Sequence, residues 1–167
     1  GDDRLYQNIF LGGTKTYTEQ SLNGTAGYDG SPVSLEEYVE EVTALGNGDV
    51  EMFEKVNQPV FINGNAYLKG APAFAREEDN YLSEGDPQVK ISVEGDSVYL
   101  EMNVEKDMLS IPTEIIDTEK LGMVRLVEAP FDDPDGNPIV LDKDYLGKTR
   151  KAGSPAGPLE ELKEGFN

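Results

Sequence analysis

Residues 88–104, QVKISVEGDSVYLEMNV, decide the fold class. Val89, Ile91 and Val93 alternate with Gln88, Lys90 and Ser92, and after Glu94-Gly95-Asp96 a second arm alternates Val98, Leu100, Met102 and Val104 with Ser97, Tyr99, Glu101 and Asn103. A period of two places one residue class on each face of a strand, so two such arms across a short polar turn predict a hairpin with one wet face. Upstream, Arg4–Leu11 (RLYQNIFL) is apolar and aromatic and ends at Gly12-Gly13, which predicts a strand and a turn. Thr14–Thr18 is a further short strand candidate, followed by a turn-rich patch at Asn23–Pro32. Pro59–Leu68 (PVFINGNAYL) is interrupted by Asn63-Gly64 and reads as two strands or one bulged strand. Ile111–Ile116, Met123–Val127 and Pro138–Leu141 are further strand candidates.

The period changes only once. Leu35, Tyr38, Val39, Val42 and Leu45 recur at helical spacing, with Ser34 and Glu37 as a capping box and Gly46 and Gly48 at the end. Asp49 caps a shorter helical segment carrying Val50, Phe53 and Val56, and both stripes are expected to pack on the core. The expectation is therefore one mainly β domain over residues 1–167, a β-sandwich or a terminal β-helix-like sheet stack with one or two short helices. Its helical insert spans about 34–56, and its loop-rich tail spans about 147–167, where Leu159–Lys163 forms a helical turn and a strand begins near Phe166. No internal repeat of fixed period stands out.

Composition narrows the chemistry. The 167 residues hold no cysteine, histidine or tryptophan. Disulfides, thiolate sites and the Ser-His-Asp triad are thereby excluded within this stretch, as is the commonest general base. Carboxylates, Lys, Arg and Tyr remain, a set that still serves glycosidases and polysaccharide lyases. Asp and Glu number 33 against 14 Lys and Arg, a formal charge of −19, so nucleic acid and anionic membrane are poor partners. No apolar run is long enough to span a membrane, so no membrane insertion is expected. No signal-peptide pattern opens the chain, and a leading Gly1 is what a cleaved tag leaves, so a trimmed chain is expected.

Several segments resemble the C-terminal part of secreted right-handed parallel β-helix proteins that act on polysaccharides. Tyr6-Gln7-Asn8-Ile9-Phe10 is similar to one rung type and Asn65-Ala66-Tyr67-Leu68 to a later one. Asp86-Pro87 with Tyr99-Leu100, and Asp142–Pro158, are similar to the segments that close those proteins. The 34–56 insert and the Ala156-Gly157-Pro158 ending depart from the pattern. The resemblance implies a secreted or cell-envelope location (periplasm or outer surface), a polysaccharide or oligosaccharide partner, and the rest of a larger parent chain. Catalytic residues normally lie on central rungs, so it also implies a non-catalytic accessory or capping module. A small carboxylate-dependent glycosidase or lyase, and a structural or adhesion domain without sugar binding, remain the alternatives.

Two candidate sites follow. Phe131–Asp144 (FDDPDGNPIVLDKD) gathers Asp132, Asp133, Asp135, Asn137 and Asp144, oxygen ligands at short spacing around a glycine, as Ca2+ requires. Pro134 interrupts the loop, and a solvated Asp-Pro-Asp-Gly turn explains the same residues. Tyr67, Tyr81 and Tyr99 are candidate stacking platforms for sugar rings, as are Tyr6 and Tyr17, although strand aromatics also serve as packing. Glu101 and Glu114 are candidate members of a carboxylate pair, while Arg125, Lys148, Arg150 and Lys151 are expected to pair with nearby carboxylates.

Overall fold

The computed structural model describes residues 2–13, 24–46, 55–124 and 128–167. The chain opens with β1 (Arg4–Tyr6) and β2 (Ile9–Leu11), and helix α1 (Leu35–Leu45) follows. Next come β3 (Phe61–Asn63), β4 (Asn65–Leu68) and β5 (Asn80–Leu82). The hairpin strands β6 (Lys90–Glu94) and β7 (Ser97–Glu101) lead into β8 (Asn103–Val104). The last third holds β9 (Ile116–Asp117), helix α2 (Thr118–Leu121), β10 (Met123–Val124), β11 (Ala129–Pro130), β12 (Val140–Leu141) and β13 (Gly165–Phe166). The protein is mainly β, built from several small sheets with few and short helices.

Parallel stacking organises the first half. Strand β1 lies on β3, and β2, β4 and β5 form a three-stranded parallel sheet. Arg4 pairs with Phe61 and Ile9 with Ala66 at one common offset, so Gln7 stacks over Gly64 and Asn8 over Asn65. Gln7 (φ 58°) and Gly64 (φ 74°) both adopt the left-handed conformation, which turns a corner without breaking the register. Arg4–Leu11, expected as one strand, is therefore two strands around a corner. At Asn63-Gly64 the chain turns the same corner and continues in a parallel stack, giving the two-strand reading of that segment.

Side chains pin this corner. The Asn65 Oδ1 accepts from the Asn8 backbone N–H (2.8 Å) and from Asn8 Nδ2 (3.1 Å). Asn65 Nδ2 donates to the Leu5 carbonyl (2.9 Å) and to Glu77 Oε1 (2.8 Å), which also accepts from Asn65 N–H (2.9 Å). The second Glu77 oxygen accepts from the Tyr67 hydroxyl (2.5 Å), which lies 2.6 Å from Thr25 Oγ1. Burial, then the hydrogen bond to the Glu77 carboxylate, pushes the Tyr67 phenol well up. Asn65, Glu77 and Thr25 are all buried, and every polar atom named here has a partner, which is the condition for a buried network to stabilise. The ring of Tyr67 stacks on Phe10 with centroids 5.1 Å apart.

The hairpin 88–104 forms with β6 and β7 antiparallel, Ile91 opposite Leu100 and Val93 opposite Val98. Its base enters the core, where Met102 and Val104 pack with Ala66, Leu68, Met108, Ile111, Ala156 and Leu162. Its outer half does not: exposure along the apolar face rises from 3% at Met102 to 41% at Leu100 and 69% at Val98. Both faces of the outer half are thus wet, where one was expected. The expected helix forms, with Ser34 Oγ accepting from Glu37 N–H (3.1 Å) and Gly46 closing it at φ 69°. Tyr38 is its one buried residue, and Leu35 and Val39 are exposed, so its apolar stripe is not core packing as expected. Thr14–Thr18, the helical segment from Asp49 through Phe53, and the end of the Met123–Val127 candidate lie outside the described residues. Ile111–Ile116 contributes only its last residue to a strand, because Pro112 has no N–H for a ladder. The tail ends in β13, paired with β8, and Leu159–Lys163 forms no helix.

Two closing turns repeat one another residue for residue. In Asp133–Asn137 the Asp133 Oδ1 accepts from the N–H of Asp135 (2.9 Å) and Asn137 (2.8 Å). In Asp144–Lys148 the Asp144 Oδ1 accepts from the N–H of Leu146 (2.8 Å) and Lys148 (2.8 Å). Backbone bonds match as well, with Gly136 donating to Asp133 (3.0 Å) and Gly147 to Asp144 (2.9 Å). Both glycines sit at positive φ, 79° and 77°, where other residues are strained. The internal repeat that sequence did not reveal is thus one of turn geometry. Asp144 does more than its twin, since its Oδ2 accepts from Glu160 N–H (2.9 Å) and ties the turn to the tail.

Replacing Asn65 by Ala removes acceptors and donors from four buried or half-buried partners and should cost about 2–4 kcal/mol in a urea melt. Asn80→Ala, which loses one bond to the Glu77 carbonyl, should cost about 1 kcal/mol or less. A second prediction concerns acid. The Glu160 amide, followed by those of Lys148 and Leu146, holds the Asp144 carboxyl below the usual carboxylate range, against the opposing effect of burial. A depressed carboxyl adds stability above its unfolded pKa, near about 3.9, and loses it as pH falls through the lower folded value. Stability should therefore fall below about pH 4. Melts of Asp144→Asn over that range should show a shallower fall.

Candidate functional site

The described residues surround one open groove of about 660 Å3. Its floor is β2, with Phe10 and Leu11, and one wall is the hairpin, with Ile91 and Leu100. The far wall comes from the second closing turn and the segment after it, with Tyr145 and Arg150. Tyr145 is 89% exposed at the tip of its turn. Arg150 is held from behind, donating to the carbonyls of Gly157 (2.8 Å) and Pro155 (2.5 Å). It therefore pairs with backbone rather than with a carboxylate as expected, whereas Lys148 does pair with Glu161 (2.6 Å). Arg125 lies outside the described residues.

The tyrosines separate by environment. Tyr67 is 0% exposed, with Phe10 against its ring and its hydroxyl bound within the protein, so the expectation of a sugar platform there is corrected. Tyr67 lies on the face of β4 opposite the core residues Ala66 and Leu68, and that face is covered by Phe10 and by the segments carrying Thr25 and Glu77. Tyr81 is half-buried and its hydroxyl donates to Glu105 Oε2 (2.7 Å), whose other oxygen accepts from Ser83 (2.6 Å). Burial and then that carboxylate raise the Tyr81 phenol, while the Ser83 and Tyr81 hydroxyls hold the Glu105 carboxyl low. Tyr99 is exposed on the outer face of the hairpin, opposite Ser92 and away from the groove. Tyr6 lines the groove beside Lys120, and Tyr17 lies outside the described residues. Tyr145, at the groove rim, was not among the expected platforms, and only its place on a rigid turn marks it.

The acidic candidates do not converge. Asp133 and Asp144 each cap their own turn, Asp132 pairs in a bridge with Pro138, and Asp135 is exposed. Asn137 donates its side-chain amide to Asp133 (3.2 Å), the reverse of a ligand oxygen facing a shared cation. Among the described residues no group of three or more acidic side chains could hold a metal ion. The five residues expected around calcium, Asp132, Asp133, Asp135, Asn137 and Asp144, thus fall on two separate turns, in which backbone amides bind the Oδ1 of Asp133 and of Asp144. Glu101 pairs with Lys90 (3.0 Å) and Glu114 with Lys120 (2.5 Å), at separate places in the fold. The buried Glu77 was missed by sequence reading, since only the register of β4 brings Asn65 and Tyr67 to it.

These placements predict that 5 mM Ca2+, on the order of a millimolar extracellular site, raises the melting temperature no more than NaCl at matched ionic strength. Specific binding would instead stabilise by mass action, with Mg2+ well behind. A melt in the three salts checks it.

No family model matches the chain, and no curated protein matches it. Among solved structures, one described as the complex structure of XylC with xylose superposes with a TM-score of 0.83 at 43% sequence identity. The superposition covers 100% of this chain, which spans 26% of the length of that solved chain.

Proposed function

We propose that this chain is a non-catalytic closing module of a longer saccharide-processing protein acting outside the cytoplasm. The observation that carries the reading is the 43% identity, over the whole chain, to part of a protein solved with xylose. Parallel rungs in register, pinned by Asn8 and Asn65, agree with a β-helical stack. The capped turns and the antiparallel β8–β13 pair, which follow the parallel strands in the chain, suit a segment that closes such a stack.

The non-catalytic part rests on what the carboxylates do. Glycosidases need two carboxyl groups across an open cleft, one protonated and one free. Here Glu77 accepts three hydrogen bonds inside the protein, and Glu105 is held by two hydroxyls. Glu101 and Glu114 are taken up by lysines. A neutral pentose saccharide suits the partner better than an acidic one, because a −19 chain repels anions.

Calorimetry and aryl-xyloside hydrolysis test this on the full polypeptide that carries these residues and on the 167-residue chain. The full polypeptide should bind xylose or xylo-oligosaccharides, and the shorter chain should show no turnover. Turnover by the shorter chain at a comparable rate would overturn the non-catalytic assignment. A full polypeptide that binds no neutral saccharide would overturn the saccharide one.

A further inference from the structure

We propose that the bare side of helix α1 docks onto a basic segment of the same polypeptide outside these 167 residues. The inference rests on the reading of this chain as part of a longer protein. The surface is separate from the parallel stack, since α1 interrupts the chain between β2 and β3.

The helix is only half seated. Leu35, Tyr38, Val39, Val42 and Leu45 share one stripe at helical spacing. Burial falls across its width: Tyr38 is buried, Val42 and Leu45 are half-buried, and Leu35 and Val39 are 57% and 51% exposed. Val33, just ahead of the helix, is 69% exposed. The entry to α1 is nevertheless fixed. Arg76 donates to the carbonyls of Asp29 (3.1 Å) and Ser31 (2.7 Å), and Asp29 Oδ1 accepts from Ala75 N–H (2.7 Å). Ser31 is buried, and the Ser34–Glu37 box then starts the helix. A preformed apolar ridge on an anchored helix loses little conformational freedom on docking.

Charge selects the partner. Glu36, Glu37, Glu40 and Glu41 lie on α1, which carries no Lys or Arg. Its last turn holds no basic residue to meet the negative end of the helix dipole, so a cation arriving there gains from the dipole and from the carboxylates. A second copy would bring −19 against −19 and another acidic helix, which opposes self-association. The occupant is therefore a surface with an apolar centre and Lys or Arg at its rim.

Size selects the source. A standard interface between separate proteins buries about 800 Å2 on each partner. The bare stripe offers Leu35 and Val39, with Val33 beside them, which is too little for that. Within one polypeptide the partner is present at an effective concentration on the order of millimolar, and a small patch suffices. The solved chain that superposes on this one extends well beyond the match, which takes in 26% of it.

The absence of cysteine in these residues makes the test direct. In the full polypeptide, with any cysteine elsewhere replaced by serine, Val39→Cys and Glu40→Cys variants are alkylated with iodoacetamide, each rate divided by its rate in urea. Glu40 is exposed and lies off the apolar stripe. The Val39→Cys thiol should react at least about tenfold more slowly than the Glu40→Cys thiol, as for a site that reacts only through local opening. Should Val39→Cys fail to fold, Leu35→Cys is read in its place. Adding Glu36→Gln and Glu40→Gln to Val39→Cys should speed its alkylation, as should about 0.5 M NaCl, by removing or screening the attraction. A benzophenone amino acid at Leu35 then reports the cover, and its cross-link should map within the same polypeptide outside these 167 residues. Equal alkylation rates, or a cross-link to a second copy or within the 167 residues, would overturn the docking. Protection indifferent to both charge and salt would overturn the basic partner. Saccharide binding with equal rates removes this inference alone, and protection without saccharide binding removes only the saccharide reading.

Discussion

The carboxyl group of Glu77 is buried, and three donors from one strand converge on it. Asn65 supplies two and Tyr67 the third, and both are placed by the register of β4. The same Asn65 reaches up to Asn8 and Leu5, so one side chain joins the rung above to the loop that carries Glu77. Thr25 extends the network, with its hydroxyl accepting from Phe74 N–H and meeting Tyr67. A one-residue slip in β4 would strand the Glu77 side chain without donors, at a cost of about 1–3 kcal/mol for each buried polar atom left unpaired. Register in the parallel stack is thus fixed by polar satisfaction as much as by apolar alternation.

A second clamp holds the end of the molecule where the strands are shortest. Arg4 lies between the rings of Phe61 and Phe131, 4.5 and 4.7 Å from their centroids. Its guanidinium donates to the carbonyls of Leu121 and Met123 (2.9 Å each) and pairs with Asp2. The C-terminal carbonyl of α2, left without a helical partner, is satisfied in this way. Flat cationic groups between aromatic faces keep most of their hydrogen-bonding capacity, which lysine at this position would lack.

The two closing turns show how one residue pattern serves two ends. Asp133 and Asp144 bind the amides two and four residues on, yet Asp144 also grips Glu160 and becomes buried. The tips differ as well: Pro134-Asp135 is polar, and Tyr145-Leu146 is apolar and stands at the rim of the groove. The turns give stiffness, and the tips determine what the surface can meet.

Alternation in residues 88–104 determined the hairpin, and the Ser34–Glu37 box with Gly46 determined α1, because each signal is local and needs no distant partner. That Arg4–Leu11 and Pro59–Leu68 carry strands was legible too, though not that they stack in parallel. What sequence left open was everything set by pairing across long separations. Parallel stacking at Gly64, the covered face of Tyr67, the donors gathered on Glu77 and the open groove all depend on which segment lies beside which. The acidic stretch 131–144 makes the same point, since an aspartate offers one oxygen equally well to a cation or to an amide. Each aspartate folds back over its own turn, and only the tertiary path brings Asp144 its further partner, the Glu160 amide.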